Sequence, residues 1–185
     1  MSASNSRPFA VGLFALLVLF AAFSRLIPHP SNFTPIGGMA LFGAAYFSRK
    51  YWAVLVPLVA LYLSSVVLDN TLYAQYYEGF VWFSNPFVYV AFGLIALFGT
   101  GVLRKISVAR IVGGALGASL IFFLVSNFGS WLGNPMYTQD LSGLLSAYAA
   151  GLPFLRNTIM GDLFYSGVLF GVYQWYVSAR PAAAV

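Results

Sequence analysis

The chain has 185 residues, 61% of them hydrophobic and only 7% charged, with a formal net charge of +5 and no cysteine. A water-exposed domain carries roughly 25% charged residues, so this composition excludes an ordinary soluble globule. The cations fall in scattered pairs rather than the stripe that nucleic acid would need, and the absence of cysteine excludes disulfides, thiolate metal sites and cysteine nucleophiles.

The chain reads as one all-α integral membrane domain over residues 1–185. Its first apolar run, residues 9–27, follows Arg7 and is nearly all Leu, Phe, Val and Ala. The run is long for the apolar region of a signal peptide and has no clear small-x-small cleavage site, which predicts a retained first membrane helix. Pro28 and Pro30 end it, because proline lacks the helical N–H and disfavours helix in the residue before it. Residues 35–47 form a second apolar segment of 13 residues, short of the ~20 that cross hydrocarbon. Gly37, Gly38 and Gly43, with the alanines at 40, 44 and 45, predict tight packing, hence a short second helix buried in the bundle. A re-entrant hairpin is the rival reading, but it would place Arg49 and Lys50 outside.

Residues 52–68 give the third span, with Pro57 tolerated as a kink, and residues 69–85 a polar, aromatic loop. The fourth span, 86–103, has its proline in the first helical turn. The fifth, 111–132, carries Gly113 and Gly117 at GxxxG spacing, and the sixth, 157–177, repeats that spacing at Gly167 and Gly171. Between these two, residues 133–153 form a second long loop whose centre, 141–150, is a candidate surface helix.

Arg7, Arg49, Lys50, Arg104, Lys105, Arg110 and Arg180 occupy one alternating set of gaps, whereas the other set holds Arg25 and Arg156 with Asp69, Glu78 and Asp140. Lys and Arg concentrate in cytoplasmic loops. The expectation is six transmembrane helices, N-in and C-in, multi-pass in the inner (cytoplasmic) membrane with the lipid bilayer around them. Loops 1, 3 and 5 are then external.

Those loops hold the chemically varied residues. Loop 3 has Tyr73, Tyr76, Tyr77, Phe80, Trp82 and Phe83, and loop 5 has Trp131, Asn134, Tyr137, Gln139 and Asp140. Loop 1 adds His29, Ser31, Asn32 and Phe33. Aromatic faces with a few polar groups suit a planar organic ligand, so loops 1, 3 and 5 are expected to close over a pocket. The competing reading is an aromatic belt at headgroup level, and the inner gaps carry Tyr51, Trp52 and Trp175 as well. Ser126, Asn127 and Ser130 make a polar step in span five, where Asn127 must bond either a neighbouring helix or something bound. The expected substrate contacts are His29, Asn32, Tyr73, Tyr77, Trp82, Asn127, Trp131, Tyr137 and Arg156. His29 alone builds no protein metal site; it either bonds backbone or supplies one axial ligand to a metal already held in a macrocycle. Arg25, Asp69 and Asp162 near the outer ends of spans are expected as structural ion pairs. No nucleophile-and-base constellation marks an enzyme, and no resident cofactor is expected.

The topology, together with residues 28–38 (PHPSNFTPIGG), 40–47 (ALFGAAYF), 124–131 (LVSNFGSW) and 161–164 (GDLF), resembles the substrate-binding (S) component of energy-coupling-factor vitamin transporters, including small solitary members of the cobalamin-transporter kind. The resemblance covers essentially the whole chain and rests mostly on topology. It implies capture of a small organic micronutrient, a vitamin or cofactor precursor with cobalamin a candidate, from the external side for uptake. It also implies an ATP-driven coupling module as partner. The family's Ala-x-x-x-Ala docking spacing is absent from residues 9–27, where the alanines stand at 10, 15, 21 and 22, which leaves another face such as Ala40 and Ala44, or solitary action. The external cysteine of some cobalamin members is absent. The alternative function is a non-transporting helical subunit or assembly factor that uses its glycine faces for partner helices.

Overall fold

Residues 36–46 contain no charged side chain and no polar face, so a helix formed there is stable only when covered on all sides. The computed structural model describes residues 30–47 and 50–179, together with Leu16, Leu19 and residues 23–27, and it buries this segment at the centre. The central helix is α1, Ile36–Tyr46; α2 spans Lys50–Asn70, α3 Pro86–Val102, α4 Val108–Trp131 and α5 Leu141–Ser178, with a 3-10 turn at Ala74–Tyr76. Among the described residues there is no strand, and the chain is all-α.

α1 touches each of the other four helices, and α2 to α5 follow around it in chain order, each packed on the next. Every residue from Ile36 to Gly43 is buried. Phe42 sets its ring edge-on to Phe170 at 5.2 Å, and Gly99 of α3 lets Ala44 approach so closely that a Cβ there would lie 2.8 Å from the alanine methyl. Among the described residues α2 and α5 do not meet. Leu19, Phe23 and Leu26 line one cleft with Ala60, Leu63 and Val67 of α2, and Ser24 Oγ donates to the Tyr165 hydroxyl of α5 at 3.3 Å.

The second to fifth expected spans coincide with α1 to α4, the first, 9–27, lies outside the described residues apart from Leu16, Leu19 and 23–27, and the last differs. A surface helix over 141–150 and a separate span from 157 are replaced by one 38-residue helix that runs through Pro153. A proline inside a helix removes one backbone hydrogen bond. Here the helix continues because Gly143, Ala147, Gly151 and Thr158 are all buried, so both sides of the proline are held by packing. Among the described residues α4 is long and apolar enough to cross a membrane, and 36–46, 54–70 and 86–102 are shorter apolar helices.

The GxxxG expectation divides. A Cβ at Gly117 would meet the Phe98 ring, so this glycine does seat α3 on α4, whereas Gly113, Gly167 and Gly171 have nothing within 4 Å of a Cβ. The latter three are open positions rather than helix contacts within the chain.

Candidate small-molecule binding site

At one end of the bundle, between α4 and α5, lies a cavity of about 330 Å³. Helix periodicity builds its α4 wall, because residues four apart stack on one face: Phe122, Ser126 and Ser130 form one column, with Phe123 and Asn127 beside it. Ser126 Oγ donates to the Phe122 carbonyl at 2.6 Å, Ser130 Oγ to the Ser126 carbonyl at 3.0 Å, and Thr158 Oγ1, across on α5, to the Phe154 carbonyl at 3.0 Å. Each hydroxyl has thus committed its hydrogen one turn back and presents lone pairs to the cavity.

Donors come from the amides. Asn127 Nδ2 spends one hydrogen on the Phe123 carbonyl at 2.8 Å. Its side chain fits only because Gly151 of α5 has no Cβ, which would collide with the Asn127 amide. Asn85 uses its oxygen to cap α3 by accepting the Phe87 N–H at 3.0 Å, which leaves its NH₂ as the donor. Asn32 occupies a left-handed turn, φ 63°, a conformation asparagine tolerates better than most residues. Asn157 Nδ2 ties that turn to α5 by donating to the Ser31 carbonyl at 2.9 Å. The lining contains no charged side chain; Tyr137, Phe122, Phe123 and Phe154 supply aromatic faces.

Of the nine residues expected to touch substrate, Asn32, Asn127 and Tyr137 line this cavity. The three connections numbered 1, 3 and 5 in the sequence each contribute one residue, through Asn32, Asn85 and Tyr137. Tyr73, Tyr77 and Trp82 do not. The Asn70 amide clamps their loop by donating to the Val81 carbonyl and accepting the Val81 N–H, both at 2.7 Å, while Phe83 stacks on Tyr89 at 4.4 Å. So constrained, the loop turns its aromatic rings outward: Trp82 is 68% exposed and Tyr77 bonds Ser84 in the same loop. Trp131 is outside the lining, and its indole N–H donates to the Thr138 carbonyl at 2.8 Å. Arg156 is exposed on α5 and lines no part of the cavity. His29 lies outside the described residues. Sequence reading missed Asn85, the last residue of the 69–85 loop, Thr158, which it placed in the sixth span without a role, and Phe154, which it left between loop 5 and that span.

A family model described as "Family of unknown function (DUF6580)" matches residues 5–183. The chain belongs to DUF6580. No curated protein and no solved structure matches it.

The ion pairs expected in this DUF6580 chain are absent among the described residues. Arg25 Nη1 donates to Ser64 Oγ at 2.6 Å, Ser65 Oγ at 3.3 Å and the Leu61 carbonyl at 3.4 Å, all on α2, and Asp69 attracts it only through space. Asp162 takes Ser119 instead. The reason is placement: Arg25 lies on the α2 seam, whereas Asp162 faces α1 and α4 across the core.

The cavity's outer rim depends on how α5 begins. Asp140 Oδ1 accepts the Gly143 N–H and the Thr138 hydroxyl, each at 2.8 Å, and these bonds hold its carboxyl below the usual carboxylate range. A carboxylate with a lowered folded value stabilises the fold above its unfolded pKa of ~3.9, and that stabilisation is lost as pH falls through the folded value. Asp140→Ala is therefore expected to speed amide exchange over residues 141–144 at neutral pH, with the difference from wild type vanishing in strong acid. Equal exchange at neutral pH would show that the cap contributes nothing.

Proposed function

We propose that this DUF6580 protein is a six-span, N-in/C-in membrane protein that captures a small, neutral, ring-containing micronutrient from the external side for uptake. The observation that carries the reading is the cavity itself: uncharged, walled by aromatic rings, and supplied with both acceptors (Ser126, Ser130, Thr158) and donors (Asn85, Asn127). Sites for small organic ligands are mostly apolar with a few placed polar groups, in volumes from about 300 Å³. At about 330 Å³ the space favours a one- or two-ring heterocycle over a corrin, which argues against cobalamin as the resting occupant. The multi-pass arrangement draws support from the outward apolar side chains of Leu63, Leu97, Leu120 and Phe164 on α2, α3, α4 and α5, and from Arg104, Lys105 and Arg110 at the bundle end away from the cavity. Ala40 is fully buried and the methyl of half-buried Ala44 is turned to Gly99 of α3, so this pair offers a poor docking face for an ATP-driven coupling module; solitary action is the reading we adopt.

The test is mass spectrometry of small molecules carried through purification. Wild type and Trp82→Ala are expected to retain the same neutral compound, and Asn127→Leu to retain it at least about tenfold less, the equivalent of ~1.4 kcal/mol of lost binding. No retained compound in wild type, or equal retention in Asn127→Leu, sinks the capture reading. The alternative, a non-transporting helical subunit, draws on a groove of about 490 Å³ where Gly167 and Gly171 lie open. It predicts a co-purifying polypeptide in place of the small molecule.

A further inference from the structure

The capture reading leaves one buried ionisable group unused. Asp162, 3% exposed, sits in the middle of α5 with Ser119 Oγ of α4 at 2.7 Å from its Oδ2, and the missing Cβ of Gly37 on α1 makes room for the carboxyl. No cation faces it. α1 has no charged residue, and its Tyr46 is at the far end; on α4 the only charge is Arg110 in the first turn, which donates to the Val102 carbonyl at 3.1 Å. On α5 itself Arg156 is exposed and Tyr165 accepts from Ser24, while Tyr89 of α3 stacks on Phe83. A carboxylate so enclosed, with one hydroxyl for company, costs several kcal/mol, and ionisable groups inside membrane bundles usually serve a function.

Ser119 is built to serve two protonation states. Its Oγ is within bonding reach of both Asp162 Oδ2 and the Ala115 carbonyl, at 2.7 and 3.0 Å, but it has one hydrogen. With Asp162 ionised, Ser119 donates to the carboxylate. With Asp162 protonated, the acid donates to Ser119 Oγ, and Ser119 turns its hydrogen to the Ala115 carbonyl. In both states the Ser119 hydrogen and Asp162 Oδ2 stay hydrogen-bonded. The pair also lies directly beneath the cavity: Thr158 in the lining is four residues before Asp162 and Phe123 four after Ser119, roughly 6 Å of helix each. Four residues beyond Asp162, Ser166 is buried with its hydroxyl unpartnered and borders the groove at the other end.

From this arrangement we propose that Asp162 is a proton-binding site that exchanges with the cavity. A proton from bulk water adds to a carboxylate oxygen and cancels one negative charge; release returns it to water by the same route. As an ion-coupling site for transport this rests on the capture reading, but proton binding itself does not.

Infrared spectroscopy of the purified full chain tests it without any ligand. Wild type is expected to show a carboxylic-acid carbonyl band that grows on acidification and shifts in D₂O, with one component, isolated in the wild-type-minus-variant difference spectrum, missing from the isosteric Asp162→Asn. Ser119→Ala should move the band, because the acid loses its acceptor; this second variant keeps the test valid if Asp162→Asn fails to fold. In this cysteine-free chain, Ser130→Cys labelled with methyl methanethiosulfonate to obstruct the cavity should slow the D₂O shift at least about tenfold. A spectrum unchanged in both variants overturns the proton site, and a D₂O shift indifferent to the label overturns exchange through the cavity. Either failure leaves the retention experiment untouched, just as failed retention leaves the band.

Discussion

A single methyl group added at Gly37 is expected to destabilise the bundle by about 2–4 kcal/mol, measured as a lowered melting temperature in detergent. Alanine is the better helix former by ~1 kcal/mol, so propensity alone predicts the opposite sign. The new Cβ, however, would occupy the space of the Asp162 carboxyl, and α1 cannot retreat because it is buried against all four neighbouring helices. Overpacking a tight core costs typically ~1–3 kcal/mol, and losing a hydrogen bond to a charged group roughly 1.5–3. Together these exceed the gain in propensity. Gly93→Ala and Gly101→Ala, with nothing within 4 Å of the added atom, are the controls and are expected to be neutral or stabilising. The double variant Gly37→Ala/Asp162→Ala should recover stability relative to the sum of the singles, with an interaction of at least about 1 kcal/mol, since neighbours sharing a contact are not additive. A Gly37→Ala variant as stable as Gly93→Ala would show that the carboxyl moves aside freely, and that the core around α1 is looser than its burial implies.

Gly37 also shows what could be read in advance and what could not. The small residues of 35–47 announced a short helix meant for close packing, and α1 is that helix. No pattern in the sequence named the group opposite Gly37, because a contact 125 residues away is set by tertiary packing. Asp162 was accordingly given the generic partner of a buried acid, an arginine, where the fold supplies Ser119. The α5 error has a different origin. Pro153 is a strong local stop signal, and it outweighed the four-residue spacing of Gly143, Ala147 and Gly151, which is the packed face that carries the helix through. In the cavity, Asn127 was legible because an amide inside an apolar run needs partners wherever it lies. Asn85 was not, since a helix cap accounts for it completely until the other half of its amide is placed. The aromatic loop misled by composition: six rings within eleven residues look like a ligand cage, but the Asn70–Val81 clamp turns them outward, where a headgroup belt suits them better.

Cysteines placed at Gln75, Met136 and Ile106 are expected to divide cleanly when intact cells meet a membrane-impermeant maleimide: the first two react, and the third reacts only after permeabilisation. The chain has no cysteine of its own, so each variant reports a single site. Gln75 lies in the exposed turn between α2 and α3, and Met136, 78% exposed, in the connection between α4 and α5. Gln139 is a poorer position because its amide holds the Gly133 N–H and the Trp131 carbonyl, and losing it would disturb the loop being reported. Ile106 follows α3, a 17-residue helix that starts at the cavity with Asn85. At 1.5 Å per residue α3 carries the chain ~26 Å, close to the ~30 Å hydrocarbon thickness, before Arg104 and Lys105 appear. The cations on which the positive-inside expectation rests thus stand at the other end of α3 from the cavity mouth. Labelling of all three sites from outside would leave the helical bundle standing but end the six-span arrangement. Opposite behaviour of positions 75 and 136 would end capture as well, because the segments that meet at the cavity's end of the bundle would then open to different compartments.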